Sequence, residues 1–249
     1  MNLQNDCLRN NHLLEHMMEN TEAVIFDLDG TLADSMWVWS EIDRDFFRSH
    51  QIDFPDYLNS EIEGMGFTET AQFFVDHFPL EESVEEIKQL WNDMALEKYR
   101  TKVPLKPGAG EFLKELKQRD IRTGIATSNS LLLVETFLES KGIRASFDAI
   151  TTVCDVSRGK PAPDVYLATA EKLHTDPSHC LVFEDIPMGI LAGINAGMRV
   201  CALEDEYSAA QREEKTASDT LLHRGFQGTV VKLPSPWPSC FRQRCAGIV

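Results

Sequence analysis

The chain has 249 residues, 43% of them apolar, and a formal net charge of −16 at neutral pH. That length supports one or two domains with a sizeable buried core. The charge argues against a nucleic-acid backbone or an anionic membrane as partner, and no run of about eighteen apolar residues suggests a membrane span.

Residues 1–20 are polar, rich in Asn and without a clear period, and read as an appended arm. Leu13, Leu14, Met17 and Met18 are interrupted by Asn, Glu and His, so they make no signal-peptide core. The six cysteines show neither CxxC nor zinc spacing. Cys154, Cys180 and Cys201 read as small buried hydrophobes in a reducing compartment, and the expected location is cytoplasmic.

Next comes the short apolar run Val24-Ile25-Phe26, predicted as a strand, ending in Asp27-Leu28-Asp29-Gly30-Thr31. Residues 35–103 read as helical throughout. Met36, Trp39, Ile42 and Phe46 recur at steps of three and four, and Ser83-Val84-Glu85-Glu86 is a capping box that opens a further helix. From Val103, Pro and Gly mark a linker. Helices over 111–119, 131–141, 164–173 and 188–196 then alternate with strands over 122–126, 149–153, 180–183 and 200–203.

Such alternation predicts an α/β fold with a doubly wound parallel sheet, formed by residues 21–34 and 104–225. Residues 35–103 form a helical insert, and residues 226–249, with Pro234, Pro236, Trp237 and Pro238, an irregular tail. No internal repeat is visible.

Four blocks fall at the carboxyl ends of predicted strands, where open α/β sheets bind ligands. They are Asp27-Leu28-Asp29-Gly30-Thr31, Thr127-Ser128-Asn129, Lys160 before Pro161, and Glu184-Asp185. A carboxylate such as Asp27 can attack phosphorus and form an acyl phosphate. Mg²⁺ held by carboxylate oxygens, together with Lys160, can neutralise the repulsion that opposes this attack. Thr127, Ser128 and Asn129 can hold phosphoryl oxygens, as can the turn at Gly30 and Thr31. Asp29 can protonate the leaving oxygen and later deprotonate water.

Taken singly, the blocks read as turns, a helix cap and a solvated lysine; the order of all four carries the reading. The first block is not an EF-hand loop, because Gly30 stands where an oxygen ligand belongs. Gly159-Lys160 is not a P-loop, because Pro161 replaces Ser or Thr. His50, His77, His174, His179 and His223 form no pair at ligand spacing and read as surface residues.

With these blocks, and with Ile194-Asn195-Ala196-Gly197-Met198 after the fourth, the chain resembles the haloacid dehalogenase (HAD) superfamily over about residues 22–222. The branch is the one similar to β-phosphoglucomutases and small-metabolite phosphatases. The resemblance implies a Rossmann-like core with an inserted cap, Asp27 as phosphorylated nucleophile and Asp29 as general acid and base. Thr127 or Ser128 would bind phosphate, and Lys160 would stabilise the phosphoryl charge. Asp185, Asp27 and the Asp29 carbonyl would hold Mg²⁺, with Glu184 as a further ligand or supporting acid. Dehalogenase chemistry is disfavoured, since those members lack the second Asp.

The implied substrate is a small phosphorylated metabolite, and the implied state a monomer, with a dimer as the alternative. β-Phosphoglucomutases carry a cap His where this chain has Trp39, and a cap Arg near Gly64-Met65-Gly66-Phe67, where this chain has none. Hydrolysis is therefore favoured over mutase chemistry, and a catalytically idle binding module ranks last. Trp37, Trp39, Gly64, Met65 and Phe67 are candidates to line the substrate site, although Trp39 reads equally well as cap core. Hinges are expected near 32–35 and 103–106.

Overall fold

The first strand, β1 (Ala23–Phe26), is buried along its whole length, as a strand covered on both faces must be. Its side chains alternate between two clusters. Ala23 and Ile25 join one apolar cluster, and Val24 and Phe26 join the other. Phe26 stacks on Phe183 at 5.3 Å and meets Phe112 and Phe147 edge-on.

This is a computed structural model, and it describes residues 18–62, 65, 67–203, 207 and 211. Most of the predicted arm, the predicted tail, Gly64 and His223 lie outside the described residues. Five parallel strands make one sheet in the order β3-β2-β1-β4-β5. The others are β2 (Arg122–Thr127), β3 (Ala149–Thr152), β4 (Cys180–Glu184) and β5 (Arg199–Ala202).

The insert between β1 and β2 contains α1 (Met36–Ser49), α2 (Leu58–Ile62), α3 (Phe67–His77) and α4 (Val84–Thr101). After it come α5 (Ala109–Gln118), α6 (Leu131–Ser140), α7 (Asp164–Lys172) and α8 (Pro187–Asn195). Phe112, Leu116, Leu133 and Phe137 of α5 and α6 pack into the cluster that contains Phe26. Val165, Tyr166, Ile190 and Ala192 of α7 and α8 pack into the cluster that contains Ile25. The sheet is thus covered on both faces, as the alternating pattern predicts.

The insert is helical, as its periodicity predicts. Ser83 caps α4 by accepting from the Glu86 N–H, and the Glu86 carboxylate accepts the Ser83 N–H at 2.8 Å. On α1 the buried stripe is Val38, Ile42 and Phe46, joined by Phe47. Trp39 is half-buried and lies edge-on to Phe67 of α3 at 5.8 Å. The expected stripe keeps Ile42 and Phe46, but Val38, four residues before Ile42, takes the buried place expected of Met36 and Trp39.

Two linkers join insert and sheet, and they pair with each other. Ala33 bridges Leu105 in antiparallel fashion. Asp34 N–H donates to the Pro104 carbonyl and Lys106 N–H to the Leu32 carbonyl. Lys106 Nζ lies 2.9 Å from Asp34 Oδ1. These are the segments where hinges are expected. Beyond them α4 lies along α6 of the core.

Three expectations change. Cys154 is exposed, because β3 stops at Thr152 and a single 3₁₀ turn carries Cys154 past the sheet. Cys180 is buried and Cys201 partly so. His50 is half-buried rather than on the surface, with Nε2 2.9 Å from Glu82 Oε1. Among the described residues, no helix is long and apolar enough to cross a membrane.

Candidate active site

The strand order places a crevice beside β1. The chain moves outward through β2 and β3, then returns to lay β4 on the other side of β1. Such a reversal leaves room for a ligand at the carboxyl ends of the two central strands. Asp27 follows β1 and donates its N–H to the Phe183 carbonyl at 3.0 Å. Glu184 ends β4, so the two acids leave the sheet side by side.

Gly30 turns the chain with φ +80°, and a Cβ there would sit 2.1 Å from Asp185 Oδ2. No other residue combines that backbone with that clearance. Thr31 then donates to Asp185 Oδ1 at 3.0 Å. Gly189, in the first turn of α8, gives Glu184 the same freedom; a Cβ there would lie 1.7 Å from Glu184 Oε1.

Lys160 reaches this acid cluster from the loop before α7. Its ammonium donates to Asp27 Oδ1 and to Glu184 Oε1, both at 2.6 Å. Tyr166 OH donates to the same Glu184 oxygen at 2.8 Å, and its ring lies 5.1 Å below the ammonium. The second Glu184 oxygen accepts the Asp185 N–H at 2.9 Å. Burial alone would lower the Lys160 pKa, but the two carboxylates outweigh it and hold the value above its ordinary one. Burial pushes the Asp27 carboxyl up to about 7, with Lys160 opposing and Glu184 and Asp29 adding to the rise.

Asp29 is served by three elements. Ser35, the cap residue of α1, donates to Oδ1 at 2.5 Å. Tyr99 OH, from the last turn of α4, donates to the same oxygen. Asn129 Nδ2 donates to Oδ2 at 2.9 Å and to the Tyr99 oxygen at 3.1 Å. Burial and the Asp29 charge hold the Tyr99 phenol well above its ordinary pKa, so it remains a donor.

The second block lies just beyond β2. Thr127 is buried, and its Oγ1 accepts the Asn129 N–H at 3.0 Å. Ser128 is exposed at the mouth of the crevice, and Ser130 caps α6. The structure brings together Asp27, Asp29, Gly30, Thr31, Thr127, Asn129, Lys160, Glu184 and Asp185 along one edge of the sheet. Trp39 and Met65 lie in the insert, both half-buried, Trp39 against Phe67 and Met65 just after α2.

The donor chemistry here suits a hard divalent cation. Asp27, Glu184 and Asp185 each offer a carboxylate oxygen, all within 4.8 Å of one another. These are oxygen ligands, with neither thiol nor imidazole among them. Asp27 and Glu184 share the Lys160 ammonium and all three carboxylates are buried, so a cation bound among them would offset their mutual repulsion. The clearance at Gly30 lets Asp185 approach the cluster.

Comparison with known proteins agrees with this geometry. The family model for haloacid dehalogenase-like hydrolases matches residues 24–203, and the chain belongs to that family. Validoxylamine A 7'-phosphate phosphatase of Streptomyces hygroscopicus subsp. limoneus is 32% identical over 201 residues, which cover 81% of this chain and 92% of that protein. Hexitol phosphatase A of Escherichia coli is 31% identical over 214 residues, covering 86% of this chain and 96% of that one. The crystal structure of CbbY from Rhodobacter sphaeroides in complex with phosphate superposes with a TM-score of 0.69 at 26% identity. It covers 75% of this chain and 88% of CbbY.

Sequence reasoning missed Tyr99, Ser35 and Tyr166. Ser35, at the residue before a helix, carries the signal of a cap, but its hydroxyl makes no capping bond and turns to Asp29 instead. Tyr99 and Tyr166 read as ordinary apolar positions of their helices, and only the docked fold shows what their hydroxyls reach.

Proposed function

We propose that this chain is a Mg²⁺-dependent phosphatase of a small phosphorylated metabolite, of the sugar- or polyol-phosphate class. One observation carries the reading: Asp27 stands at the switch point of the sheet, tied to Lys160 at 2.6 Å, with a second acid two residues on. Relatives named hexitol phosphatase A and phosphorylated carbohydrates phosphatase support the substrate class.

The chain's own groups divide the work. An Asp27 oxygen attacks phosphorus, the bond from phosphorus to the alcohol oxygen breaks, and Asp29 passes a proton to that oxygen. Water then attacks phosphorus, the bond to Asp27 breaks, Asp29 takes the water proton, and inorganic phosphate leaves. Lys160 and the Thr127 hydroxyl face the phosphoryl oxygens as their charge spreads. Asp27, Glu184, Asp185 and the Asp29 carbonyl would hold Mg²⁺, which supplies positive charge against which the anionic groups can meet.

Trp39 stands where mutases of the branch carry a cap His, and Gly64-Met65-Gly66-Phe67 holds no Arg, so the cap cations that would grip a second phosphate are missing at those places. That favours hydrolysis over transfer. We infer a monomer acting on a diffusible metabolite in the cytoplasm, because the proposed chemistry calls on no group beyond those named.

The test is phosphate release from a panel of sugar phosphates, polyol phosphates, nucleotides and phosphoglycolate, with Mg²⁺ or chelator, beside Asp27→Asn. Metal-dependent release lost in the variant is the expected result. Conversion of β-glucose 1-phosphate to glucose 6-phosphate without phosphate release would overturn it.

A further inference from the structure

The proposed proton carrier, Asp29, belongs to the core, but the hydroxyl that binds it from above belongs to the insert. Tyr99 lies in the last turn of α4, fully buried, with its ring edge-on to Phe137 of α6 at 6.4 Å. Ser140 Oγ of α6 donates to the Tyr99 carbonyl at 3.4 Å. Both contacts tie Tyr99 of the insert to α6 of the core, one through its ring and one through its backbone carbonyl. Its hydroxyl donates to Asp29 Oδ1 and accepts from Asn129 Nδ2, which also donates to Asp29 Oδ2. Asn129, Tyr99 and Asp29 thus close a ring, with a donor on each carboxylate oxygen.

We propose that Tyr99 is a positioning residue of the reaction: from the insert, through its hydroxyl and with Asn129, it aims the Asp29 carboxyl at the leaving group. This rests on the phosphatase reading given above. A free carboxyl rotates about two side-chain bonds, and a proton donor must lie within hydrogen-bond reach of the oxygen it serves. Ser35 alone leaves Oδ2 unrestrained. With Tyr99 and Asn129 present, both oxygens have fixed partners, and the orientation of Asp29 depends on the seating of α4 against α6.

A role in proton delivery has a kinetic signature that a role in folding lacks. An alkyl phosphate needs its departing oxygen protonated as the bond to phosphorus breaks. p-Nitrophenyl phosphate does not, because nitrophenolate is a stable anion. The ratio kcat/KM reports the step up to phosphoryl transfer onto Asp27.

The experiment compares Tyr99→Phe with wild type on p-nitrophenyl phosphate and on whichever sugar or polyol phosphate the wild type hydrolyses fastest. The expected result is a loss of kcat/KM of about tenfold or more on the alkyl ester, with p-nitrophenyl phosphate changed by about twofold or less. Equal losses on both substrates, or none on either, would overturn the proposal. If Tyr99→Phe does not fold, Asn129→Ala is read by the same ratio, since its amide holds both partners. A preserved ratio in Asn129→Ala overturns the proposal too. Failure of the phosphatase reading itself looks different: wild type would release phosphate from neither ester, or Asp27→Asn would release it as fast.

Discussion

Lys160 Nζ stands 2.6 Å from Glu184 Oε1, and Glu184 is wholly buried. The lysine is therefore not a loose surface cation that happens to reach the crevice. It is clamped by an acid which is itself fixed by Tyr166 and by the Asp185 N–H. Its charge is pre-aimed at Asp27, so little reorganisation is needed when an anion arrives.

Lys160→Met should lower phosphate release by about a hundredfold or more, because the phosphoryl charge loses its fixed partner. It should also destabilise the metal-free protein by about 3–5 kcal/mol, because buried carboxylates lose their counter-ion. Steady-state kinetics and denaturant unfolding in chelator check the two parts separately.

Gly189→Ala should be costly although the substitution is small. The added carbon would lie 1.7 Å from Glu184 Oε1, so Glu184 must move. Moving it disturbs Lys160 and Tyr166 together. The expected destabilisation is about 1–3 kcal/mol, with activity falling as well. An alanine variant that unfolds and turns over like wild type would show that the crowding is not real.

Asp27→Asn should abolish turnover and keep the fold. It also removes one of the three clustered carboxylates, so metal should stabilise the variant less. For wild type, Mg²⁺ at about a hundred times its dissociation constant should add about 2.7 kcal/mol. Thermal unfolding with and without Mg²⁺ measures the difference; equal shifts in both proteins would remove Asp27 from the ligand set.

Asp43, on α1, gives a pH dependence of stability away from the crevice. Burial pushes its carboxyl up to about 7, against 3.8 for the free group. The folded state then holds a proton that the unfolded chain has released, so stability falls as pH rises between those values and levels off above about 7. The full shift corresponds to at most about 4 kcal/mol, and less is expected because the carboxyl keeps some contact with water. Asp43→Asn should match wild type near about pH 4 and exceed it by about 1–3 kcal/mol near about pH 8. Unfolding curves at the two pH values decide it.

Much of the fold was legible because its signals are local. Val24-Ile25-Phe26 is a short, β-branched and aromatic run stopped by acids and glycine, and its shortness and flanks favour a buried strand over a helix. Ser83 and Glu86 satisfy each other's backbone within one turn, so the start of α4 is written in four residues. Other signals were displaced. Trp39 belongs to the apolar repeat of α1 but is only half-buried, since α3 takes it up through Phe67. Cys154 has the composition of a core residue and sits outside the core, because β3 ends too early to carry it in.

The alternation of strands and helices, the helical insert, and the acids, hydroxyls and lysine placed at strand ends are all written in the chain's local pattern. Each follows from residue type and spacing over a few positions. Which of these groups meet depends on how the elements pack. Lys160 is 133 residues from Asp27, and Asn129 is 100 from Asp29, yet both pairs are in hydrogen-bond contact. Tyr99 shows the limit most plainly. Its ring is placed by the apolar face of α4, whereas its hydroxyl finds Asp29 only because α4 docks on α6. Contacts across such distances are set by how whole elements pack, and no local pattern in the chain encodes them.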